Sequence, residues 1–264
     1  MATSWCFTLA IFVVILLASP NASLATMNVI DKCWRGNPRW RNQRQQLATC
    51  SVGFSGKMTN NIGKGVIRYK VTDPSDDPLN PKPGTLRHGA TMIKGKVWIT
   101  FKRNMHITLQ RPLLISSFTA IDGRGVNVHV TGAGCLLVYQ ATDVIIHGLH
   151  IHHCKSQPPS SVMGPDSKVI PLGQMDGDAI RLVTAKKVWI DHNTLYDCQD
   201  GLLDVTLTSQ INFRGATIAK FVKESYVNVG ISTCGTGCSQ GSLVAVLAPV
   251  DGDATSSMGS FNDC

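Results

Sequence analysis

The feature that most constrains the fold is an internal match between two segments. Val144–Cys154 and Val188–Cys198 align without a gap, reading VIIHGLHIHHC and VWIDHNTLYDC, and we interpret their 44-residue offset as two steps of 22. Repeats of roughly 20 to 50 residues are typical of solenoids, in which each unit buries its apolar face by stacking on the next. A β-sandwich would instead show turns every roughly 8 to 12 residues without this long register. The sequence therefore predicts an all-β, right-handed parallel β-helix.

Short apolar runs recur along this part of the chain and end in polar or glycine turns. They are rich in β-branched and aromatic residues, which favours strands. The runs are Val97–Phe101, Phe118–Gly123, Val144–Gly148 and Val188–His192. The preceding segment, Thr72–Gly84, contains four prolines and is predicted to be an extended loop, because proline is excluded from helix interiors and central strands.

The N-terminal segment predicts export. Its first 25 residues contain no Asp, Glu, Lys or Arg, and Trp5–Ala18 is almost wholly apolar. That run is shorter than the roughly 20 residues of a membrane span, and Ser23–Ala25 offers small residues for cleavage. We predict a secretory signal at residues 1–25, with an N-terminal anchor as the alternative, and hence a secreted protein of the extracellular space or cell wall. In that oxidising compartment the cysteines can form disulfides, and Cys33 and Cys50 are a candidate local pair.

The chain is basic, with a formal net charge of +8 and a pI of about 9.1. A basic secreted protein suits polyanionic partners such as acidic polysaccharide. The charge is dispersed, without a run of five basic residues or a nucleic-acid-binding motif, so charge alone is equally compatible with a surface that has no special partner. We expect no nucleic-acid partner, no membrane partner and a monomer.

Two aspartate–glycine motifs are the strongest candidate site. Asp176 and Asp178 stand in DGDAI, Asp200 and Asp204 stand in DGLLD, and Asp178 and Asp200 are 22 residues apart. Residues one coil apart stack at about 4.8 Å, and strand residues two or four apart share a face. Four converging carboxylates repel unless a cation intervenes, and Ca²⁺ accepts roughly six to eight oxygen ligands. The sequence therefore predicts a calcium site, although Asp-Gly pairs are also ordinary turn residues.

Other polar residues near these motifs are given structural roles. Asp191 is interpreted as a turn residue or as one that supports the site without binding the ion. The cluster His147, His150, His152 and His153 has no evident counterpart one coil away, which favours surface or ladder histidines over a metal site. Cys154 and Cys198 occupy equivalent positions, but two coils would separate them by roughly 9.6 Å, beyond the reach of a disulfide.

Nine ordered motifs carry a resemblance to a known family. They are Cys33-Trp34-Arg35, Asn80-Pro81-Lys82-Pro83-Gly84-Thr85-Leu86-Arg87-His88, Phe101-Lys102-Arg103, Ile121-Asp122-Gly123-Arg124-Gly125, Val144-Ile145-Ile146-His147-Gly148-Leu149, Asp176-Gly177-Asp178-Ala179, Trp189-Ile190-Asp191-His192, and Asp200-Gly201-Leu202-Leu203-Asp204, together with the Arg/Gln-rich segment after Arg35. Over about residues 28–206 the sequence resembles the plant pectate lyases of polysaccharide lyase family 1.

The resemblance implies a calcium-dependent lyase that cleaves α-1,4-galacturonan by β-elimination during pectin degradation. It implies that aspartates matching Asp176, Asp178, Asp200 and Asp204 hold Ca²⁺, which bridges to the substrate carboxylate. A hydrolytic polygalacturonase is a poorer alternative, because it needs an acid and a base flanking the bond. The positive net charge would then attract the substrate, because pectate is a polyanion.

The resemblance stops after Thr206. The family continues to an Arg-Pro-x-Arg segment whose first arginine removes the proton, and residues 207–264 contain no such sequence. We therefore identify no catalytic residue and no cofactor-binding residue besides the calcium ligands. We predict a truncated β-helix over residues 26–206, followed by an irregular tail over 207–264. The alternative to an active lyase is a catalytically inactive homologue that binds Ca²⁺ or acidic pectin.

Overall fold

The structure is a computed structural model that describes residues 29–53, 55–206, 211–218, 230–232 and 243–246. The predicted signal segment at 1–25 and most of the predicted tail at 207–264 lie outside these residues. Within these residues there are two short α-helices, α1 (Val29–Arg35) and α2 (Leu86–Thr91). There are also three 3₁₀ helices, at Arg44–Thr49, Thr59–Asn61 and Pro165–Ser167. No helix of the described part is long and apolar enough to cross a membrane.

Strands make up most of the regular secondary structure of the described chain. Their bounds are β1 (Ile67–Val71), β2 (Val97–Phe101), β3 (Met105–Leu109), β4 (Leu113–Leu114), β5 (Thr119–Asp122), β6 (Val128–Ala133), β7 (Leu136–Tyr139), β8 (Thr142–His147), β9 (His150–Lys155), β10 (Ser160–Met163), β11 (Val169–Leu172), β12 (Ile180–Val183), β13 (Lys186–Asp191), β14 (Thr194–Tyr196), β15 (Leu203–Thr206), β16 (Ile211–Ile218), β17 (Gly230–Ser232) and β18 (Leu243–Val246). The predicted loop Thr72–Gly84 contains neither helix nor strand, as expected from its prolines.

The strands wind through three parallel sheets. The first sheet runs β1-β2-β5-β8-β13-β16, the second runs β3-β6-β9-β14-β16, and the third runs β4-β7-β12-β15. Successive turns of the chain visit the sheets in the same order, and neighbours within each sheet are parallel, up to the antiparallel strands β17 and β18. Parallel crossovers are right-handed in nearly all proteins. The predicted right-handed parallel β-helix is confirmed.

Apolar residues one turn apart stack along the inside of the helix. In the first sheet Ile99, Ile121, Ile146 and Ile190 lie opposite one another in register, and all four are fully buried. Complete burial of one such side chain contributes roughly 1.5 to 3 kcal/mol to the free energy of unfolding. The alternating apolar runs of the sequence therefore produce the solenoid, because a slip of one residue would turn each isoleucine outward.

The N-terminal segment covers the outer face of the first sheet. Trp98, Ala120, Ile145 and Trp189 point outward in register, yet they are buried against residues 30–58. A disulfide between Cys33 and Cys50, with a Cα–Cα distance of 5.6 Å, closes this covering segment. That pair confirms the candidate bridge inferred from the sequence.

The turn count differs from the prediction at one place. β13 pairs directly with β8, so Ile190 lies opposite Ile146. The 44 residues between them form one turn and not two steps of 22, so the predicted count was one too high. The extra length includes the antiparallel hairpin formed by β10 and β11, which pairs with neither flanking turn. Surface insertions of this kind cost little free energy of loop closure.

The second disulfide was not predicted. Cys135 and Cys154 are bonded, with a Cα–Cα distance of 5.6 Å, and they tie two consecutive turns together. Cys198 lies one turn from Cys154 because β14 pairs with β9, but Cys154 is already bonded to Cys135. Within the described residues Cys198 forms no disulfide.

Candidate metal centre

The four predicted aspartates lie on two adjacent turns of the third sheet. Asp176 and Asp178 precede β12, Asp200 precedes β15, and Asp204 is the second residue of β15. β12 and β15 pair in parallel, with Arg181 opposite Asp204. The turns that carry Asp178 and Asp200 are therefore in direct contact, as the spacing of 22 residues predicts.

Two glycines allow the turns to approach each other. Gly177 has a φ of +103°, and a Cβ there would lie 2.8 Å from the backbone nitrogen of Ser156. A Cβ on Gly201 would lie 2.4 Å from Oδ1 of Asp178. Any larger residue at either position would push a strand or a carboxylate aside, which explains why each motif reads Asp-Gly.

Three of the four carboxylates converge. Asp176, Asp178 and Asp200 each offer an oxygen, and these oxygens lie within 4.8 Å of one another. Asp178 is buried, whereas Asp176 and Asp200 are exposed. The Gly201 backbone N–H donates to Oδ1 of Asp178 at 2.9 Å. The buried Oδ2 of Asp178 has no hydrogen-bond partner among the described residues.

The protonation of Asp178 reflects this crowding. Burial, together with the negative charges of Asp204 and Asp200, raises its pKa to about 6. A bound cation would reverse this effect, because it would stabilise the charged form of Asp178. The negative charge of the Asp178 carboxylate would therefore be more stable with a cation bound than without one.

Arg181 is a neighbour of the acidic cluster that the sequence interpretation missed. Its guanidinium is 3.1 Å from Oδ2 of Asp176 through Nη1 and 3.1 Å from Oδ2 of Asp204 through Nε. It therefore bridges an exposed and a buried carboxylate from two turns. A lone arginine within a strand carries no motif, and its partner Asp204 becomes a neighbour only once the register is known.

The donor set fits Ca²⁺. Carboxylate oxygens are the hard ligands that calcium prefers, and its flexible coordination tolerates exposed ligands with additional water. Oδ2 of Asp178 is a buried acceptor, without a hydrogen-bond partner in the part of the chain that the structure describes, and a cation would satisfy it. Asp178 and Asp200 would hold the ion at the centre of the cluster. Asp176 and Asp204 would bind the ion in place of their ion pairs with Arg181.

Asp191 lies away from this cluster, on the first sheet. Its carboxylate Oδ2 is 3.0 Å from Nδ1 of His147 and 2.7 Å from Nδ1 of His192, and His192 also reaches Asp31 in α1 at 3.2 Å. Burial opposes the charge on His192, but the hydrogen bonds to Asp191 and Asp31 outweigh it and raise the pKa of His192 to about 9. Asp191 therefore anchors the N-terminal helix to the solenoid and is not a turn residue.

The fold and the site define a three-sided parallel β-helix protein with an acidic cluster on its outer wall. Comparisons with known proteins give the particular group. No protein-family model matches the chain. It is 48% identical over 184 residues to pectate lyase 1 of Hesperocyparis arizonica, covering 69% of this chain and 49% of the relative. It is 47% identical over 189 residues to probable pectate lyase 8 of Arabidopsis thaliana, covering 71% of this chain and 44% of that relative.

A solved structure agrees with these relatives. The crystal structure of Jun a 1, the major allergen from cedar pollen, superposes with a TM-score of 0.67 at 44% identity, covering 71% of this chain and 54% of that one. The matched region of the chain is homologous to the plant pectate lyases, as the sequence motifs indicated. The chain spans about half the length of the curated relatives it matches.

The raised pKa of Asp178 predicts a specific pH dependence in the absence of calcium. Because the folded protein holds this proton more tightly than the unfolded chain, ionisation of Asp178 lowers the free energy of unfolding as the pH rises from about 4 to about 6. The shift corresponds to about 3 kcal/mol above that window. We expect Asp178→Asn to become more stable than the natural chain by up to this amount at neutral pH, in urea unfolding with chelator. Equal stability of the two proteins from pH 4 to pH 7 would contradict the assignment.

Proposed function

We propose that this chain is a calcium-dependent protein of the pectate lyase type, which cleaves α-1,4-galacturonan by elimination. Asp176, Asp178, Asp200 and Asp204 are its proposed calcium ligands. The observation that carries the proposal is the convergence of three carboxylates on two adjacent turns, with a buried oxygen of Asp178 that has no hydrogen-bond partner in the described part of the chain. The named lyase relatives support the reaction class.

The roles of the chain's own residues follow from their positions. Asp178 is preorganised by the Gly201 N–H, so its second oxygen is free to bind the ion. When bound, calcium neutralises a substrate carboxylate, which makes the neighbouring proton easier to remove. Arg181 becomes available to an anionic sugar when calcium takes its carboxylate partners. The positive charge of the chain attracts the acidic polysaccharide over a longer range.

We infer export from the N-terminal sequence. Residues 1–25 are the proposed signal, residues 26–206 the proposed lyase-like domain and residues 207–264 a divergent tail. The two disulfides support an oxidising compartment, since such bonds persist mainly outside the cytosol. The proposed location is the extracellular space or cell wall, where the protein acts as a monomer.

A second candidate is a non-catalytic homologue that binds Ca²⁺ or acidic pectin. It is favoured by one feature of the sequence, the lack of an Arg-Pro-x-Arg segment anywhere in the chain. The resemblance places the proton-abstracting arginine in that segment, and we assign the role to no other residue. In this case the aspartate cluster would bind its ligand without turnover.

An elimination assay on the full chain separates the two candidates. Polygalacturonate is added with excess Ca²⁺ or with chelator, and ultraviolet absorbance reports the unsaturated product. A rise that requires Ca²⁺ supports the lyase. No rise, together with calcium binding in a calorimeter, supports the binding homologue. Absence of binding of both Ca²⁺ and polygalacturonate by correctly folded protein would overturn both.

A further inference from the structure

A column of histidines runs along the outer face of the second sheet. His106 in β3 lies opposite His129 in β6, which lies opposite His150 in β9. Adjacent rings stack at centroid distances of 4.8 and 4.7 Å. His150 therefore belongs to a ladder, one of the two roles expected for the histidine cluster, but the expectation that the cluster has no counterpart one coil away was wrong. His106 and His129 were overlooked because each is isolated in the sequence and joins the others only through strand register.

A fourth histidine, His152, faces this column next to a β-bulge. The register between β6 and β9 shifts after Val130, and His153 takes a φ of +52°. Bulges redirect side chains in this way. The His152 ring stands edge-on to His129 and to His106, at centroid distances of 5.2 and 5.6 Å. Tyr196, one turn further, stacks on His152 at 4.4 Å and holds the ring in place.

Ring nitrogens of three histidines lie close to one another. Nδ1 of His129 is 2.9 Å from Nε2 of His152. His106, His129 and His152 each offer one nitrogen, and these nitrogens lie within 4.8 Å of one another. Nitrogens bound to one tetrahedral ion at about 2.0 Å are roughly 3.3 Å apart. His106 is exposed, and a displacement of its ring by at most roughly 1.5 Å would complete that arrangement.

The surroundings keep the lone pairs available. Burial and the neighbouring histidines lower the pKa of His152 to about 4, and burial also lowers the pKa of His129. The His152 ring is therefore neutral near pH 7. Nδ1 of His152 lies 2.6 Å from Nδ1 of His153. If Nδ1 of His152 donates there, its Nε2 lone pair faces the cluster, which is how supporting residues orient metal-binding histidines.

We propose that His106, His129 and His152 bind a divalent transition-metal ion of the zinc and copper class. Imidazole nitrogens suit these ions and do not suit calcium, which takes oxygen ligands. The remaining coordination position would be filled by water. The site lies on the second sheet, whereas the aspartate cluster lies on the third, so it is independent of the proposed lyase function. His153 acts as the positioning residue for His152.

The test is zinc calorimetry on the full, untagged chain, with excess Ca²⁺ present to occupy the aspartate cluster. We expect one Zn²⁺ per chain, with affinity reduced about tenfold or more by His106→Gln and by His129→Gln. His88→Gln is the matched control, because His88 stacks on Tyr69 outside the cluster, and it is expected to leave affinity unchanged. His153→Asn keeps a residue that tolerates positive φ and is expected to weaken binding through the loss of orientation.

Cu²⁺ provides a second readout. Electron paramagnetic resonance of the copper-loaded chain is expected to show hyperfine coupling to several imidazole nitrogens, reduced in His106→Gln. His106 is exposed, so this variant keeps the fold, which thermal unfolding without metal verifies. Unchanged zinc affinity in both His106→Gln and His129→Gln would overturn the proposal. So would loss of zinc binding in Asp178→Asn but not in the histidine variants.

Discussion

Replacing Asp178 with asparagine is expected to weaken calcium binding by about 100-fold or more. The substitution removes the only fully buried charge of the cluster Asp176, Asp178 and Asp200, and calcium affinity depends on ligand charge and on the rigidity of the site. Asparagine keeps the shape and the oxygen that accepts from Gly201, so the strands need not move. Calorimetry with Ca²⁺ on the full chain measures the effect.

The matched control for this prediction is Asp166→Asn. Asp166 is an exposed aspartate in the turn between β10 and β11, with a φ of +58° that asparagine also tolerates. We expect the control to bind calcium as the natural chain does. Equal weakening in both variants would indicate a general charge effect, and calcium binding that survives in Asp178→Asn would remove Asp178 from the ligand set.

Four strands of the first sheet and their register could be predicted because the signal is local. Alternating β-branched residues such as Ile121, Ile146 and Ile190 define one buried face wherever they occur, and the period of the chain brings those faces together. The number of turns could not be predicted from the same pattern. The hairpin formed by β10 and β11 adds two short strands to one turn, and that turn is as long as two coils of 22 residues.

The acidic site was predictable for a similar reason. The motifs around Asp178 and Asp200 are one turn apart with no insertion between them, and the glycines that permit their contact belong to the motifs. Arg181 and the histidine column were not predictable. Each depends on a residue from another turn, and single residues such as His106 and His129 carry no local pattern. Long-range register decides these contacts, and sequence spacing becomes reliable only where turns have equal length.

Replacing Arg87 with methionine is expected to lower the free energy of unfolding by about 3 to 5 kcal/mol. Arg87 is buried and holds Asp76 through two hydrogen bonds, from Nε at 2.6 Å and from Nη2 at 2.8 Å. It also donates to the carbonyl oxygens of Arg111 and Pro112 at 2.7 and 2.9 Å. The variant leaves the Asp76 carboxylate buried without its counter-charge, and the proline-rich loop loses one of its attachments to the solenoid.

Denaturant unfolding followed by circular dichroism measures this loss, with Arg103→Met as the matched control. Arg103 is exposed, and surface substitutions usually change stability by less than about 0.5 kcal/mol. The double variant Arg87→Met with Asp76→Leu removes both charges and is expected to recover part of the lost stability, because an apolar pair needs no counter-charge. If Arg87→Met unfolds at the same denaturant concentration as Arg103→Met, the ion pair does not attach the loop. If the double variant is no more stable than Arg87→Met alone, the cost arises from lost packing and not from the uncompensated carboxylate.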